Sequence, residues 1–227
     1  MKCFADRARL AFLLCVFGAV SQAADPSQFS ESERRVFSDD HLRNLGGPAA
    51  LHYAYRKRGS LEKDIDDRAV VTVGARDKEG GRTASVEFLS GARKLELPPL
   101  EHAEGNPLIL FFLEREVREM SRLTGGAGSY FRKRIRIALV DGAEVRSVEV
   151  SVAGQAVAAT EIRIAPYKND PARARYEKFA DKTYVFVFSD EVPGQVVELS
   201  SELFGPAADG GPAEMMLGES LIFVGRR

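Results

Sequence analysis

The segment Asn106–Leu123 (NPLILFFLEREVREMSRL) carries the clearest structural pattern in the chain. Asparagine is a preferred N-cap residue and proline fits the first helical position, so Asn106-Pro107 predicts a helix over Leu108–Leu123. Helical spacing gathers one apolar stripe, which consists of Leu110, Leu113, Val117 and Met120. The opening stretch, Leu108–Leu113, is apolar on every side, so we expect that end of the helix to be buried or inserted into another structure.

Charged residues in the second half of this segment have the spacing of ion pairs. Glu114 and Arg118 lie at positions i and i+4, and so do Arg115 and Glu119. Side chains at this spacing are neighbours on the surface of a helix. We therefore expect both ion pairs to form on the outer face of the predicted helix.

On either side of the helix, alternation of apolar and polar residues predicts antiparallel strands. The stretch Leu51–Tyr55 alternates in this way, as in a half-buried strand. The hairpin that follows it places Val73 opposite Val86 and Val71 opposite Phe88. In this register apolar residues meet apolar residues, and a slip by one residue would destroy that match.

A second hairpin is predicted around Asp141-Gly142, because this dipeptide is a strong signal for a two-residue turn. The hairpin pairs Ile135 with Val148. On its first strand, three basic residues share one face: Arg132, Arg134 and Arg136. This face is a candidate for contact with phosphates or anionic lipid headgroups, and the alternative is a solvated face balanced by carboxylates such as Glu149.

The aromatic run Tyr184–Phe188 (YVFVF) is apolar on both faces, which is typical of a central strand. The whole pattern predicts an α+β, mostly β fold: a curved antiparallel sheet or half-barrel of about nine strands wrapped around one main amphipathic helix. We interpret residues 24–50 as a helical or irregular segment, in which Ser30 and Glu33 fit a capping box. Residues 51–227 then form a single β-rich domain.

The first residues have the order of a secretory signal peptide. Basic residues in Met1–Arg9 precede an apolar stretch of eleven residues, Leu10–Val20, and Ser21-Gln22-Ala23 supplies the small residues of a signal-peptidase site. The apolar stretch is too short to span a bilayer, which needs roughly 20 residues. We therefore predict cleavage after about Ala23, export to the periplasm, and no transmembrane span in the mature chain.

Cysteine usage limits the chemistry of the mature chain. Of 227 residues only two are cysteines, Cys3 and Cys15, and both lie in the predicted leader. Removal of the leader excludes disulfides, thiolate nucleophiles, iron–sulfur clusters and cysteine-based zinc sites. The chain has 32 Lys and Arg against 33 Asp and Glu, and the leader is basic. The mature chain is therefore acidic and exported, so we predict that it binds no nucleic acid.

Three patterns suggest catalysis or metal binding, and each has a plainer interpretation. Asp39-Asp40-His41 has metal-ligating residue types, but adjacent side chains point in different directions, and a helix N-cap is the preferred interpretation. The acidic run Asp64–Asp67 lacks the glycine and glutamate of a calcium-binding loop. His52 and His102 have no catalytic partner at an identifiable spacing. We therefore predict no catalytic residue, no metal site and no cofactor.

Aromatic residues are the remaining candidates for a ligand site. Those at the helix start and on the two-sided strand are candidates for the lining of an apolar cavity: Phe111, Phe112, Tyr184, Phe186 and Phe188. Packing in the core is the alternative use of the same side chains. The sequence leaves open whether the space between helix and sheet is a cavity or a filled core.

Several features occur together in this chain. They are the signal peptide, an L-x-Y strand at Leu51 and Tyr53, antiparallel hairpins, the helix led by Asn106-Pro107, and a proline-containing turn before the final strands. This layout resembles that of uncharacterised periplasmic proteins of proteobacteria. It is also similar to the half-barrel carriers and receptors of the lipoprotein-sorting system, in which a curved antiparallel sheet wraps a helix. The resemblance implies an apolar-ligand groove, and it transfers no functional residue.

We therefore predict a non-enzymatic periplasmic protein that binds an apolar or lipid-like ligand or an envelope protein. Two alternatives stay open. The first is a structural or assembly module of the cell envelope that uses sheet edges and the predicted basic face. The second is a hydrolase, which needs His52 or His102 beside a carboxylate or a hydroxyl group.

Overall fold

The computed structural model describes residues 30–96, 98–206 and 213–227, and the predicted leader lies outside them. The helices are α1 (Glu31–Phe37), α2 (Pro107–Thr124) and α3 (Gly128–Asp141). The strands are β1 (Ala49–Arg58), β2 (Ile65–Arg76), β3 (Arg82–Phe88), β4 (Leu95–Glu96), β5 (Leu100–Ala103), β6 (Glu144–Val152), β7 (Gln155–Ile164), β8 (Thr183–Phe188), β9 (Val196–Phe204) and β10 (Met215–Arg226). Among the described residues, no helix combines the length and the apolar character that crossing a bilayer requires.

The strands belong to one curved antiparallel sheet that is not closed. Its order is β4-β3-β2-β1-β10-β9-β8-β7-β6, and β5 pairs with β3 on the same side as β4. The chain leaves the sheet at one edge after β5, forms α2 and α3, and enters it again at the opposite edge with β6. Side chains of α2 and α3 pack with those of the sheet in one core cluster, and the open, curved sheet with its helices confirms the predicted α+β half-barrel.

The core lies between this sheet and the helices. Leu51, Tyr53 and Tyr55 of β1 are buried, and the residues between them are only partly covered, as the alternation predicts. The helix α2 buries Leu113, Val117 and Met120 of the predicted stripe. The N-terminal segment before β1 adds Val36, Leu42 and Leu45 to the same cluster of buried side chains.

Asn106 begins α2 as predicted and attaches the helix to the sheet. Its Oδ1 accepts a hydrogen bond from the Leu108 backbone N–H at 3.1 Å. Its Nδ2 donates to the hydroxyl of Tyr53 and to the carbonyl of Gly194, both at 3.0 Å. Because Asn106 is buried, these bonds fix the start of α2 against β1 and against the turn between β8 and β9.

The outer side of α2 differs from the prediction in two ways. Leu110, predicted in the buried stripe, is 52% exposed because it faces a groove and not the sheet. Neither ion pair predicted within α2 forms. Glu114 instead accepts two hydrogen bonds from Arg132 of α3, and Arg115 donates two to Glu219 of β10.

The prediction of a hairpin around Asp141-Gly142 is wrong, because residues 128–141 form the helix α3. Helical spacing places one apolar side of α3 in the core, which consists of Phe131, Ile135, Ala138 and Leu139. The alternation of arginine and isoleucine over residues 134–137 imitates a strand, which explains the error. The hairpin of β6 and β7 turns at Ala153-Gly154, where both residues have positive φ, as a tight two-residue turn requires.

The first predicted hairpin forms between β2 and β3, with a different register. Val71 lies opposite Val86, and Ala69 lies opposite Phe88. This differs from the prediction by two residues, so the paired residues from Ala69 to Val73 keep their predicted faces. An irregularity in β2 between Val73 and Arg76 accounts for one residue of this difference, and the pairing of Arg76 with Arg82 next to the turn accounts for the other.

Candidate functional site

Most of the aromatic residues predicted to contact a ligand lie in the closed interior between α2 and the sheet. Phe112, Tyr184, Phe186 and Phe188 are each at most 2% exposed. Phe112 packs edge-on against Tyr184 and Phe186, with ring centres 6.5 and 6.2 Å apart. Such contacts are typical of core packing. Contact of these four residues with a ligand stays a prediction, and in the structure their rings pack against other core side chains.

The same interior layer contains buried charges. Lys182 donates through its Nζ to Oε2 of Glu116, and the Ser201 hydroxyl donates to Oε1 of Glu116 at 3.0 Å. All three side chains are fully buried. Burial raises the pKa of Glu116, and the positive charge of Lys182 opposes that shift. An apolar ligand in this layer would separate or desolvate an ion pair, which costs free energy.

A second group of charges joins α2 to strands β1 and β10. Oε1 of Glu219 lies 3.3 Å from Nζ of Lys57 and 2.8 Å from Nη2 of Arg115. Arg115 also donates to the hydroxyl of Tyr55 at 2.8 Å. Because Lys57 and Glu219 are buried, these contacts hold the middle of α2 at a fixed position against the sheet.

An open groove of about 510 Å³ lies on the other flank of α2, between the helix and the sheet edge formed by β3, β4 and β5. This volume is within the range of small-molecule sites. Three leucines that line it are conspicuously exposed: Leu95 by 50%, Leu100 by 45% and Leu110 by 52%. The groove therefore presents an apolar and concave surface to solvent.

The local sequence explains why this groove stays open. Pro98 and Pro99 lie between the short strands β4 and β5, and they have no backbone N–H with which to extend pairing to β3. The segment therefore stands beside α2 as a wall. Phe111 is half-buried and forms part of the opposite wall. The centre of its ring lies 4.7 Å from the centre of the Phe88 ring. Of the five aromatic residues predicted at a ligand site, only Phe111 lines this groove.

One end of the groove is charged, and most of its charges are held in ion pairs. Glu114 accepts from Arg132 at 2.6 and 2.7 Å, and this contact lowers the pKa of Glu114. Arg122 donates to Glu119 at 2.9 and 2.8 Å, and Arg115 is bound to β10 as described above. The exception is Arg118, which is exposed and has no carboxylate of the described residues within 4.0 Å.

The three basic residues predicted to share a strand face do not share one, because they lie on the helix α3. Each is paired with a carboxylate instead. The pairs are Arg132 with Glu114 at 2.6 Å, Arg134 with Asp170 at 2.7 Å, and Arg136 with Glu33 at 3.0 Å. Contact of these arginines with an anionic partner stays a prediction. The shared strand face on which that prediction was based does not form.

Aspartates from both acidic stretches of the sequence form ion pairs with arginines. Asp39 accepts from Arg34 and Arg35 at 2.7 and 3.1 Å, and it does not cap a helix, because a turn follows it. Arg58 donates to Asp66 from the acidic run at 2.8 Å. Among the described residues, no cluster of three or more side chains is arranged to hold a metal ion.

The histidines occupy separate environments. His41 is buried and stacks on Phe188, and desolvation lowers its pKa. Nδ1 of His102, on strand β5, lies 2.8 Å from Oδ2 of Asp77, and the His102 side chain is exposed. In the part of the chain that the structure describes, no hydroxyl group is hydrogen-bonded to this pair, and Nε2 of His52 has no hydrogen-bond partner. His102 thus has the carboxylate that the hydrolase alternative needs, without a hydroxyl nucleophile.

Comparisons with known proteins concern the fold alone. No protein-family model matches the chain, and no curated protein matches its sequence. Lipoprotein LppX of Mycobacterium tuberculosis is 12% identical, with a TM-score of 0.28, over 77% of this chain and 84% of that chain. LprF of Mycobacterium bovis is 9% identical, with a TM-score of 0.34, over 87% and 94%. A LolA superfamily protein of Nitrosomonas europaea is 8% identical, with a TM-score of 0.22, over 83% and 89%. Each of these three likenesses extends over most of both chains.

Proposed function

We propose that this protein is a non-enzymatic binding protein for an apolar, lipid-like ligand, and that the ligand lies in the groove beside α2. The observation that carries the proposal is the exposure of Leu95, Leu100 and Leu110 on the walls of one groove. Exposed apolar residues are normal when they are scattered, whereas a concave apolar patch is typical of a binding site. A ligand in this groove covers the leucines without disturbing the buried ion pairs.

The proposal includes export to the periplasm. It is supported by the leader pattern of residues 1–23, which lie outside the described residues. The rest of the chain contains no cysteine. An exported protein of this kind has no thiol that an oxidising compartment could oxidise, and its fold depends on core packing and buried ion pairs.

The non-enzymatic character is also part of the proposal. The pair of His102 and Asp77 is not among the residues that line the groove, so a ligand bound there does not meet it. The alternative of an envelope assembly module stays a prediction. Its basic face does not form, since Arg132, Arg134 and Arg136 lie on a helix and are paired.

A charge placed on the groove wall tests the proposal. We expect Leu110→Glu to weaken the binding of an uncharged apolar dye such as Nile red by roughly tenfold or more, because burial of a leucine side chain contributes about 1.5–3 kcal/mol. The stability of the protein should change little, since Leu110 is exposed. Fluorescence titration of the dye gives the dissociation constant.

The matched control is Val140→Glu, which adds the same charge to a 43% exposed residue of α3 outside the groove lining. This variant should bind the dye as the wild type does. Thermal unfolding of both variants shows that they are folded. The groove proposal fails if the wild type takes up no dye, or if folded Leu110→Glu binds it as tightly as Val140→Glu does.

A further inference from the structure

The charged end of the groove indicates the chemical class of the ligand. We propose, on the basis of the proposed function, that the ligand is an anionic amphiphile: its apolar chain lies against Leu110 and Phe111, and its carboxylate or phosphate head binds Arg118. Three features of the groove carry this inference. They are the order of its residues along α2, the pairing of its other charges, and the exposure of Arg118.

The groove changes from apolar to charged along the axis of α2. Pro107, Leu110 and Phe111 line its apolar end, and Glu114, Arg118 and Arg122 line the following turns. Leu110 and Arg118 are eight residues apart, which corresponds to about 12 Å along a helix at 1.5 Å per residue. Residues four apart lie on the same side of a helix, so one elongated ligand can reach both ends.

The other arginines of the groove are already bound. Arg115 donates to Glu219 at 2.9 and 2.8 Å, and its guanidinium also lies over the ring of Phe88, 5.1 Å from the ring centre. Arg122 is held by Glu119. A ligand head would have to break these hydrogen bonds in order to bind either arginine. To bind Arg118 it would break no hydrogen bond among the described residues, and it would compete only with the electrostatic attraction of Glu114.

Arg118 is available because Arg132 of α3 takes the hydrogen bonds of its expected partner, Glu114. Both oxygens of Glu114 accept hydrogen bonds from Arg132, a residue outside the groove lining. Among the described residues that line the groove, Arg118 is then the charged side chain without a hydrogen-bonded ion-pair partner, although it attracts Glu114 at longer range, and its charge is positive. A guanidinium binds carboxylate and phosphate with two parallel hydrogen bonds, whereas a cationic head would be repelled.

A pair of probes that differ only in charge tests the inference. Dansylaminoundecanoate carries a carboxylate, and its methyl ester has the same chain and fluorophore without the charge. We expect the wild type to bind the acid more tightly than the ester. Arg118→Gln should weaken binding of the acid by roughly tenfold, the size expected for one charge-assisted contact, and should leave binding of the ester unchanged. Added salt should weaken binding of the acid alone.

Two further variants distinguish binding of the ligand's charged head from binding of its apolar chain. Lys133→Gln removes a positive charge from an exposed residue of α3 outside the groove lining, and it should bind both probes as the wild type does. Leu110→Glu should lose both probes. If Leu110→Glu binds neither probe and Arg118→Gln binds the acid normally, the proposal that an anionic head binds Arg118 is wrong. The groove proposal then stands. If Leu110→Glu binds both probes normally, the groove proposal itself is wrong.

Inorganic phosphate distinguishes a lipid head from a free anion. Phosphate has no apolar chain, so we expect that an equal concentration of it does not displace dansylaminoundecanoate from the wild type. Displacement by phosphate at that concentration would mean that Arg118 binds a free anion. It would contradict the proposal that the ligand is an anionic amphiphile.

Discussion

Lys182→Met is expected to lower the free energy of unfolding by about 3–5 kcal/mol at neutral pH, the usual cost of removing one partner of a buried ion pair. Lys182 is fully buried and donates to Glu116, which is also fully buried. Methionine fills a similar volume but leaves the carboxylate of Glu116 without a cation. Urea denaturation at pH 7 measures the loss.

The pH dependence of this loss follows from Glu116. Burial raises its pKa above the ordinary value of 4.5, so the folded state binds the proton more tightly than the unfolded state does. The stability that the folded protein gains from protonation of Glu116 is therefore fully present below about pH 4.5. It is lost as the pH rises through the raised pKa of Glu116. In Lys182→Met the destabilisation should accordingly be greatest at neutral pH and should shrink as the solution is acidified.

Two further variants make this result specific to the ion pair. Lys133→Met changes an exposed lysine in the same way and should unfold as the wild type does. The double variant Glu116→Gln/Lys182→Met removes both charges and should recover most of the lost stability. A Lys182→Met protein as stable as Lys133→Met at pH 7 would contradict a buried pair between α2 and the sheet.

Phe112→Ala is expected to cost about 3–5 kcal/mol of unfolding free energy, because it removes a large ring from a packed interior. Phe112 is 2% exposed and contacts the rings of Tyr184 and Phe186. Thermal and urea denaturation measure the effect. Binding of Nile red should survive in the folded variant, because Phe112 does not line the groove.

The control for this change is Phe37→Ala, which shortens an exposed phenylalanine of α1. We expect its stability to stay within about 0.5 kcal/mol of the wild type. Equal stability of the two variants would mean that Phe112 does not fill the core. Loss of dye binding in folded Phe112→Ala would place the ligand in the interior and not in the groove.

The parts of the fold that could be predicted from the sequence are those whose local signals agree with their tertiary setting. Asn106-Pro107 marks the start of α2, and the alternation around Tyr53 and the two-sided run Tyr184–Phe188 mark β1 and β8. In α3 the signals conflict. Ile135 and Ile137 alternate with arginines as on a strand, while Phe131, Ile135 and Leu139 follow a helical period, and burial against the sheet favours the helix.

That error also conceals the candidate site. The incorrect prediction of a strand over α3 places Arg132 on a sheet face and not beside α2. Glu114 is then predicted to pair with Arg118 of its own helix. The helix brings Arg132 to Glu114 and leaves Arg118 at the groove. The apolar wall comes from separate segments around Leu95 and Leu110, which only the tertiary structure brings together. The one local signal was a helix start that is apolar on every side, including the side that stays uncovered.

The position of a bound ligand distinguishes the groove from the interior. The measurement is the anomalous scattering of bromine in crystals grown with dodecanoate brominated at the end of its chain. We predict a bromine peak between Leu100 and Leu110, with the carboxylate directed toward Arg118. A bromine peak between Phe112 and Tyr184 would contradict a filled interior and a ligand site on the flank of α2.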